Sequence, residues 1–214
     1  MNFRMPSFAP PARITLLTAL FLAVFLTACT GLLTSEEPPR QVYLLEPLPP
    51  AGDGASGPRD VTLLFRFGVV PGLDTDRILS LNPDARLLPY ANARWPDHLP
   101  EVLNSVLQRS LDSSGRFRDI QNAGRNGTEE WTLDLELRAF YGLRDASGVT
   151  GSVRLVLAGT LGCEGRERPL YLSRDAPVRE ERLSAVVAAH QAALNDVSRE
   201  LLEALDRNCA GENA

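Results

Sequence analysis

Two long stretches of alternating apolar and polar residues predict the centre of a β-sheet. From Trp131 to Leu143 every second residue is apolar or aromatic, and none of these residues is charged. A second alternation runs from Val149 to Leu161. The five residues Arg144–Gly148 join them and include a glycine. Because side chains alternate between the faces of a strand and short Gly-containing loops join antiparallel neighbours, the pattern predicts a hairpin with one apolar face.

Shorter runs predict further strands on both sides of this hairpin. Val61–Val69 alternates strongly, and brief apolar runs flank the turn at Asn82. Bounded apolar runs of this length are typical of strands. The further predicted strands are Val42–Leu45 at an edge, Val61–Val69, Arg77–Leu81, Arg86–Tyr90 and Leu170–Ser173.

Helical periodicity appears twice. A first helix is predicted to begin at Pro96 and Asp97 and to end at Gly115, and a second to run from Leu183 to Asn208. Each places its apolar residues on one face, so each needs a surface to cover. The predicted class is therefore α+β, a mainly antiparallel sheet with two amphipathic helices packed on one face.

The N-terminal segment predicts export and lipidation. Arg4 and Arg13 precede an apolar run of 13 residues, Ile14–Leu26, which is too short for a membrane span and suits a signal peptide. The following Leu26-Thr-Ala-Cys29 resembles the lipobox of bacterial lipoproteins. A plain secretory signal cleaved near Ala28, or a chance cysteine in an anchor helix, are the alternatives.

These features predict the organisation and the location of the chain. Residues 1–28 are the expected signal peptide, 29–59 a lipid-anchored tether with a short edge strand, 60–208 the folded domain and 209–214 a C-terminal tail. The resemblance implies acyl chains such as palmitate on Cys29 and no other cofactor. Because Thr30 is not the Asp that retains such proteins at the inner membrane, we expect the outer membrane's inner leaflet, with the domain in the periplasm.

Composition excludes several chemistries. All 22 basic residues are Arg, so there is no lysine for a phosphate loop, a Schiff base or a Ser-Lys dyad. Removing Arg4 and Arg13 with the signal peptide leaves 20 Arg against 27 acidic residues, a net charge of −7. This balance argues against nucleic acid as a partner.

Cysteine usage fits an oxidising compartment. If Cys29 carries lipid, Cys163 and Cys209 remain as an even pair, at the ends of a predicted strand and of the last helix. They are candidates for a disulfide, and two unpaired thiols are the alternative. No spacing typical of metal ligands is present, so no metal site is predicted.

Other polar residues have structural explanations. Asp134, Glu136, Arg138 and Arg154 lie on the polar faces of the hairpin, where a cross-strand charge ladder is expected rather than a pair of catalytic carboxylates. His190 is expected to pack within the last helix, and His98 to be exposed. Asp74 and Asp76 are expected in turn or capping roles. No catalytic residue is predicted, and the chain is not expected to be an enzyme.

One segment carries a family resemblance. Gly72–Phe117 contains Leu73-Asp-Thr-Asp-Arg-Ile78, then Tyr90-Ala-Asn-Ala-Arg-Trp95 and a helix ending near Ser-Gly-Arg-Phe117. With Val42-Tyr-Leu-Leu45 and the Ala-rich last helix, it resembles the ABC-type transport auxiliary lipoproteins, which include the paraquat-inducible lipoprotein component. Cys163 and Cys209 depart from that pattern.

The resemblance implies a non-catalytic accessory of an ABC/MCE-type lipid transport system between the inner and outer membranes. The implied partners are an ABC permease, its ATPase and an MCE-type substrate-binding protein, and a homo-oligomeric ring is expected by analogy. A structural envelope-assembly lipoprotein without a transport partner is the alternative. Tyr90, Arg94 and Trp95 are the candidate contact residues, and Trp95 has the alternative role of covering the core at the helix start.

Overall fold

The computed structural model describes residues 39–50, 59–122 and 130–209, and its helices and strands lie in one compact unit, Arg40–Ala214. This unit is α+β. Its strands are β1 (Gln41–Val42), β2 (Arg59–Val69), β3 (Arg77–Leu81), β4 (Leu87–Arg94), β5 (Phe117–Gln121), β6 (Glu130–Arg144), β7 (Thr150–Cys163) and β8 (Arg166–Pro177), and its helices are α1 (Leu99–Ser113) and α2 (Leu183–Cys209).

Strand β6 is the centre of the eight-stranded sheet. It pairs with β7 in antiparallel register along nearly its whole length, and β7 continues into an antiparallel pair with β8. The other edge of β6 is shared. Its first half pairs with β2, which also pairs with β5, and its last residues pair with β3, which leads to β4 and β1.

The sheet is mixed, and the expectation of a mainly antiparallel sheet was wrong. The pairs β2·β5, β2·β6, β3·β6 and β1·β4 are parallel. Alternation along a strand predicts which side chains share a face, but it is the same for both strand directions. Whether two paired strands run parallel or antiparallel depends on the chain segments that connect them. Here β3, β4, α1 and β5 intervene between β2 and β6, which allows the parallel pairing.

One face of the sheet forms the core together with both helices. Leu63, Leu133 and Leu155 are fully buried on this face. The predicted apolar stripe of α1 is buried in full, and α2 contributes its own stripe to the same cluster. Buried apolar surface of this extent is the main stabilising contribution to a domain of this size.

The opposite face of the sheet carries the predicted charge ladder. Arg66 lies directly across from Asp134, and Arg154 directly across from Asp175, with guanidinium–carboxylate distances of 2.6 Å in each pair. Arg138 pairs instead with Glu136 on its own strand, at 3.0 Å. All three pairs are substantially exposed and so contribute little to stability, and only the two cross-strand pairs favour a particular register.

Several element boundaries differ from the prediction. Strand β8 extends far beyond the predicted Leu170–Ser173 on both sides. The prediction was too short because charged residues toward the ends of the strand conceal the alternation. Strand β5 was not predicted. Helix α1 begins at Leu99 rather than at Pro96, since His98 is its N-cap residue and Pro100 occupies the first turn.

Candidate functional site

The segment from Tyr90 to Trp95 does not form a single surface, because β4 is irregular there. Arg77 and Leu79 on β3 pair with Arg94 and Pro89 on β4, so β4 has three more residues between the two pairs than β3 has. Asn92 has a φ of 53°, a left-handed conformation that Asn tolerates better than most residues. The bulge separates the three candidate contact residues into three different environments.

Trp95 lies in the core. Its side chain is 1% exposed, and its ring packs against Phe140 and His190 at centroid distances of 5.8 and 5.5 Å. Its backbone N–H donates to the carbonyl of Asp76 at 2.7 Å. Trp95 was considered either as a contact residue or as a residue that covers the core. Its burial supports the second role, because almost none of its surface is accessible to a partner.

Arg94 connects the sheet to the N-terminal segment. Its guanidinium lies 2.9 Å from the carboxylate of Asp76, and its backbone carbonyl accepts the N–H of Tyr43 at 2.9 Å. Two of its polar groups are therefore already engaged within the domain. Its role in the described fold is to hold the chain that arrives from the N-terminus.

That chain forms what we call the N-terminal strap, residues Gln41–Pro49, which crosses both helices. Glu46 exchanges two hydrogen bonds with the amide of Gln191 on α2, at 2.8 and 2.9 Å. Leu48 bonds through its N–H to the hydroxyl of Ser110 and through its carbonyl to that of Ser113, at 2.9 and 3.2 Å. With Leu45 buried, the strap fixes the point at which the tether enters the domain.

Tyr90 lies at the wall of a surface cavity of about 300 Å³. Its hydroxyl is hydrogen-bonded to the hydroxyl of Thr150 on β7. Gly142 on β6 makes this contact possible, because a Cβ there would lie 2.9 Å from the Tyr90 hydroxyl and 2.7 Å from Thr150 Cγ2. An isolated glycine within a strand pattern often marks such a close approach, and it is the sequence signal that could have located this site.

We call this space the Tyr90 cavity. It lies between β4, the β6–β7 turn and the start of α2. Its apolar lining consists of Val149, Val178, Leu183 and Val186, and its polar lining of Arg144, Ser147, Thr150, Glu180, Glu181 and Arg182.

The charged groups of the cavity are unequally engaged. Glu180 and Arg182 form an ion pair at 2.9 Å. The guanidinium carbon of Arg144 lies 5.0 Å from the centre of the Tyr90 ring, a cation–π contact, while its buried Nε has no hydrogen-bond partner within the described part of the chain. The cavity thus holds one cation whose donors remain available.

The turn beside the cavity is rigidly built. The carboxylate of Asp145 accepts the hydroxyl and the N–H of Ser147, at 2.6 and 2.8 Å, and the N–H of Val149 at 3.1 Å. The Ser147 hydroxyl, followed by the backbone donors, lowers the pKa of Asp145. These hydrogen bonds stabilise the turn, which places Arg144 and Val149 at the cavity.

His190 is buried within the aromatic cluster, as expected for a packed helix histidine. Its Nδ1 donates to the carbonyl of Val186 at 2.9 Å, and its Nε2 has no partner among the described residues. Burial lowers the pKa of His190 to about 4. The imidazole is neutral at physiological pH and cannot reach a substrate, so it is a structural residue.

Two other polar residues considered in the sequence analysis, His98 and Asp74, pair with each other. His98 Nδ1 lies 2.8 Å from the carboxylate of Asp74, which raises the pKa of this exposed histidine. Within residues 39–50, 59–122 and 130–209 no three His, Cys, Asp or Glu side chains come together as metal ligands would. In the same ranges, neither helix combines the length and the apolarity that crossing a membrane requires.

Cys163 and Cys209 are joined in the structure by a disulfide, with their Cα atoms 5.7 Å apart. Both residues are buried. The bond attaches the last residue of α2 to the last residue of β7 and so closes the core at this end of the sheet. Cys29, the expected lipidation site, lies outside the described residues, as does the expected signal peptide.

Comparison with known proteins identifies the family. The model of the ABC-type transport auxiliary lipoprotein component matches residues 43–201, from the strap to most of α2. The chain therefore belongs to the ABC-type transport auxiliary lipoprotein family. A search of the curated proteins found no match.

Solved structures share the fold. One, described as an uncharacterized protein, is 14% identical with a TM-score of 0.60, over 78% of this chain and 99% of the other. Protein XCC0632 from Xanthomonas campestris, of the DUF330 family, is 18% identical with a TM-score of 0.59, over 77% of this chain and 94% of the other. At these identities the likeness concerns architecture alone.

Family membership defines the general role. The protein is an auxiliary component of ABC-type transport, associated with an ABC transport system, and a lipoprotein. This role agrees with the expectation of a chain without catalytic residues.

Proposed function

We propose that the protein is the periplasm-facing accessory lipoprotein of an MCE-type lipid transport system, attached through Cys29 to the inner leaflet of the outer membrane. It acts by docking rather than by turnover. The observation that carries this proposal is the family match over residues 43–201, which runs from Tyr43 in the strap through β2–β8 and α1 to most of α2. The match therefore covers most of the folded unit and is not confined to a short motif.

The strap supports an anchored orientation. The tether would end at β1, where Tyr43 bonds to Arg94, and the next residues are fixed across α2 and α1 through Gln191 and Ser110. Tension on a lipid anchor would act first on the pairing of β1 with β4 and then on the hydrogen bonds to the two helices. The strap thus attaches the N-terminal end of the described domain to both helices.

Binding partners test the proposal directly. The full-length lipoprotein, tagged at its C-terminus and solubilised from membranes of the source bacterium, is expected to retain an MCE-type protein together with its permease and ATPase. The mature domain carrying Cys29→Ala is the control for the contribution of the anchor. Retention of peptidoglycan or of β-barrel assembly proteins instead would favour the envelope-assembly alternative and contradict the transport role.

A further inference from the structure

We propose that the Tyr90 cavity binds the headgroup of a zwitterionic phospholipid, with the phosphate on Arg144, the ammonium on Glu181 and the first part of the acyl chains against Val178, Leu183 and Val186. This inference rests on the proposed function and adds a ligand site to it. It assigns the chain a direct contact with the transported lipid in addition to its contacts with other proteins.

The apolar side of the cavity is continuous with the core. Val186 is 4% exposed, while Val178 and Leu183 are partly buried against the core cluster. These side chains present methyl groups to a cavity that opens at the surface. Surface of this kind is stabilised when an apolar ligand displaces water from it.

Arg144 supplies the phosphate contact. Its guanidinium carbon lies 5.0 Å from the centre of the Tyr90 ring, and its Nε, which is enclosed by the protein, has no partner within the described ranges. A buried donor without an acceptor is costly, whereas guanidinium and phosphate match in geometry and form charge-assisted hydrogen bonds. A phosphate in the cavity would bond to the terminal nitrogens of this guanidinium rather than to the enclosed Nε, and an uncharged sugar or hydroxyl would bind them less well.

Glu181 selects for a ligand that carries a positive charge as well. It lines the same cavity, and it forms no ion pair with any residue in the described part of the chain, whereas the neighbouring Glu180 is paired with Arg182. The cavity therefore contains one unpaired cation and one unpaired anion. A phosphoethanolamine group complements both, but a purely anionic headgroup would leave Glu181 as a repulsive neighbour.

The size of the cavity limits what it holds. A volume of about 300 Å³ is at the lower end of ligand pockets. It fits a headgroup with the beginning of its chains rather than a whole lipid. The remaining chain length would stay in a membrane or in the conduit of a partner, which suits a site of transfer.

Photo-crosslinking tests the site in the full-length lipoprotein reconstituted in nanodiscs. The probes are phosphatidylethanolamine, phosphatidylglycerol and diacylglycerol, each with a diazirine near the start of one acyl chain. We expect phosphatidylethanolamine to label peptides covering residues 141–150 and 178–186 about tenfold more than diacylglycerol does, the scale of one charge-assisted hydrogen bond. Inorganic phosphate at millimolar concentration should compete weakly.

Variants separate the two charges. Arg144→Gln should reduce labelling by both phospholipids, and Glu181→Gln should reduce labelling by phosphatidylethanolamine while leaving phosphatidylglycerol unchanged or improved. Arg138→Gln, which removes a guanidinium from the opposite sheet face, is the matched control and should change nothing. Thermal melts of each variant establish that it is folded.

Three results would overturn the site: equal labelling by diacylglycerol, unchanged labelling of a folded Arg144→Gln protein, or labelled peptides elsewhere in the chain. Complete competition by inorganic phosphate would identify a free anion as the ligand and also overturn it. The experiment contains no transport partner, so its failure is distinct from failure of the proposed transport role, which depends on co-purification.

Discussion

The imidazole of His190 packs edge-on against the phenyl ring of Phe140, with the two ring centroids 4.7 Å apart. Phe140 lies on β6 and His190 on α2, and Trp95 completes the cluster at the entrance to α1. A single aromatic cluster thus connects the central strand to α2 and to the segment that leads from β4 into α1. Its burial makes the fold sensitive to the protonation of one side chain.

The buried histidine predicts acid sensitivity. The pKa of His190 is about 4 in the folded protein and about 6.5 when unfolded, so the unfolded state binds the proton more readily. Stability attributable to His190 is complete above pH 6.5 and falls as the pH drops toward 4. The loss amounts to about 3 kcal/mol.

Denaturant unfolding between pH 4 and 7.5 measures this effect. His190→Leu removes the titrating group, so its unfolding free energy should depend less on pH over this interval than that of the wild type. This holds whatever the substitution does to the unfolding free energy at pH 7.5. Carboxylates contribute equally to both proteins, so the difference between the two curves isolates His190. Parallel curves would show that His190 is not a buried neutral group.

Trp95 is expected to be a stability residue. Trp95→Ala removes a fully buried ring that contacts Phe140 and His190, so it should cost about 3–5 kcal/mol of unfolding free energy. Tyr171→Ala is the matched control, because this aromatic side chain is 67% exposed and its loss should change stability little. A nearly normal melt for Trp95→Ala would restore Trp95 as a contact residue.

The disulfide predicts equal effects from its two ends. Cys163 and Cys209 are 46 positions apart, and a loop of that length constrains the unfolded chain by about 4 kcal/mol in the chain-entropy model. Cys163→Ser, Cys209→Ser and the double variant should therefore melt at similar temperatures, below the wild type. Alkylation of both cysteines in unfolded, non-reduced wild-type protein would disprove the bond.

The anchor predicts a change of compartment. Lipidation requires the thiol of Cys29, so Cys29→Ala should release the domain from the membrane fraction or leave it uncleaved. Thr30→Asp should keep the lipid and move the protein from the outer to the inner membrane. Membrane fractionation with mass spectrometry of the N-terminal peptide measures both, and a free thiol on mature wild-type Cys29 would contradict lipidation.

The sequence predicted the periodic elements better than their assembly. Alternation placed Leu133 and Leu155 on the buried face, and helical spacing identified the stripe from Leu99 to Leu111, since these patterns follow from local geometry. Strand direction and the β4 bulge depend on contacts distant in sequence. The same is true of the contact between Tyr90 and Thr150, which lie 60 residues apart.

The candidate site illustrates this limit. Tyr90, Arg94 and Trp95 lie within six residues of one another, and their proximity in sequence suggested one contact surface. The bulge instead turns Trp95 into the core, engages Arg94 with Asp76 and leaves Tyr90 at a cavity wall. Arg144 and Glu181, which supply the unpaired charges of that cavity, have no local pattern that links them to Tyr90.

Genetic epistasis in the source bacterium tests the central claim, that the protein serves an MCE-type lipid transport system. The measurement is outer-membrane permeability to a detergent in strains lacking this gene, the MCE gene, or both. If the two proteins act in one system, the single deletions should show the same sensitivity and the double deletion should be no more sensitive than either. A double deletion with additive sensitivity would contradict the account, because it would place the lipoprotein in a separate process.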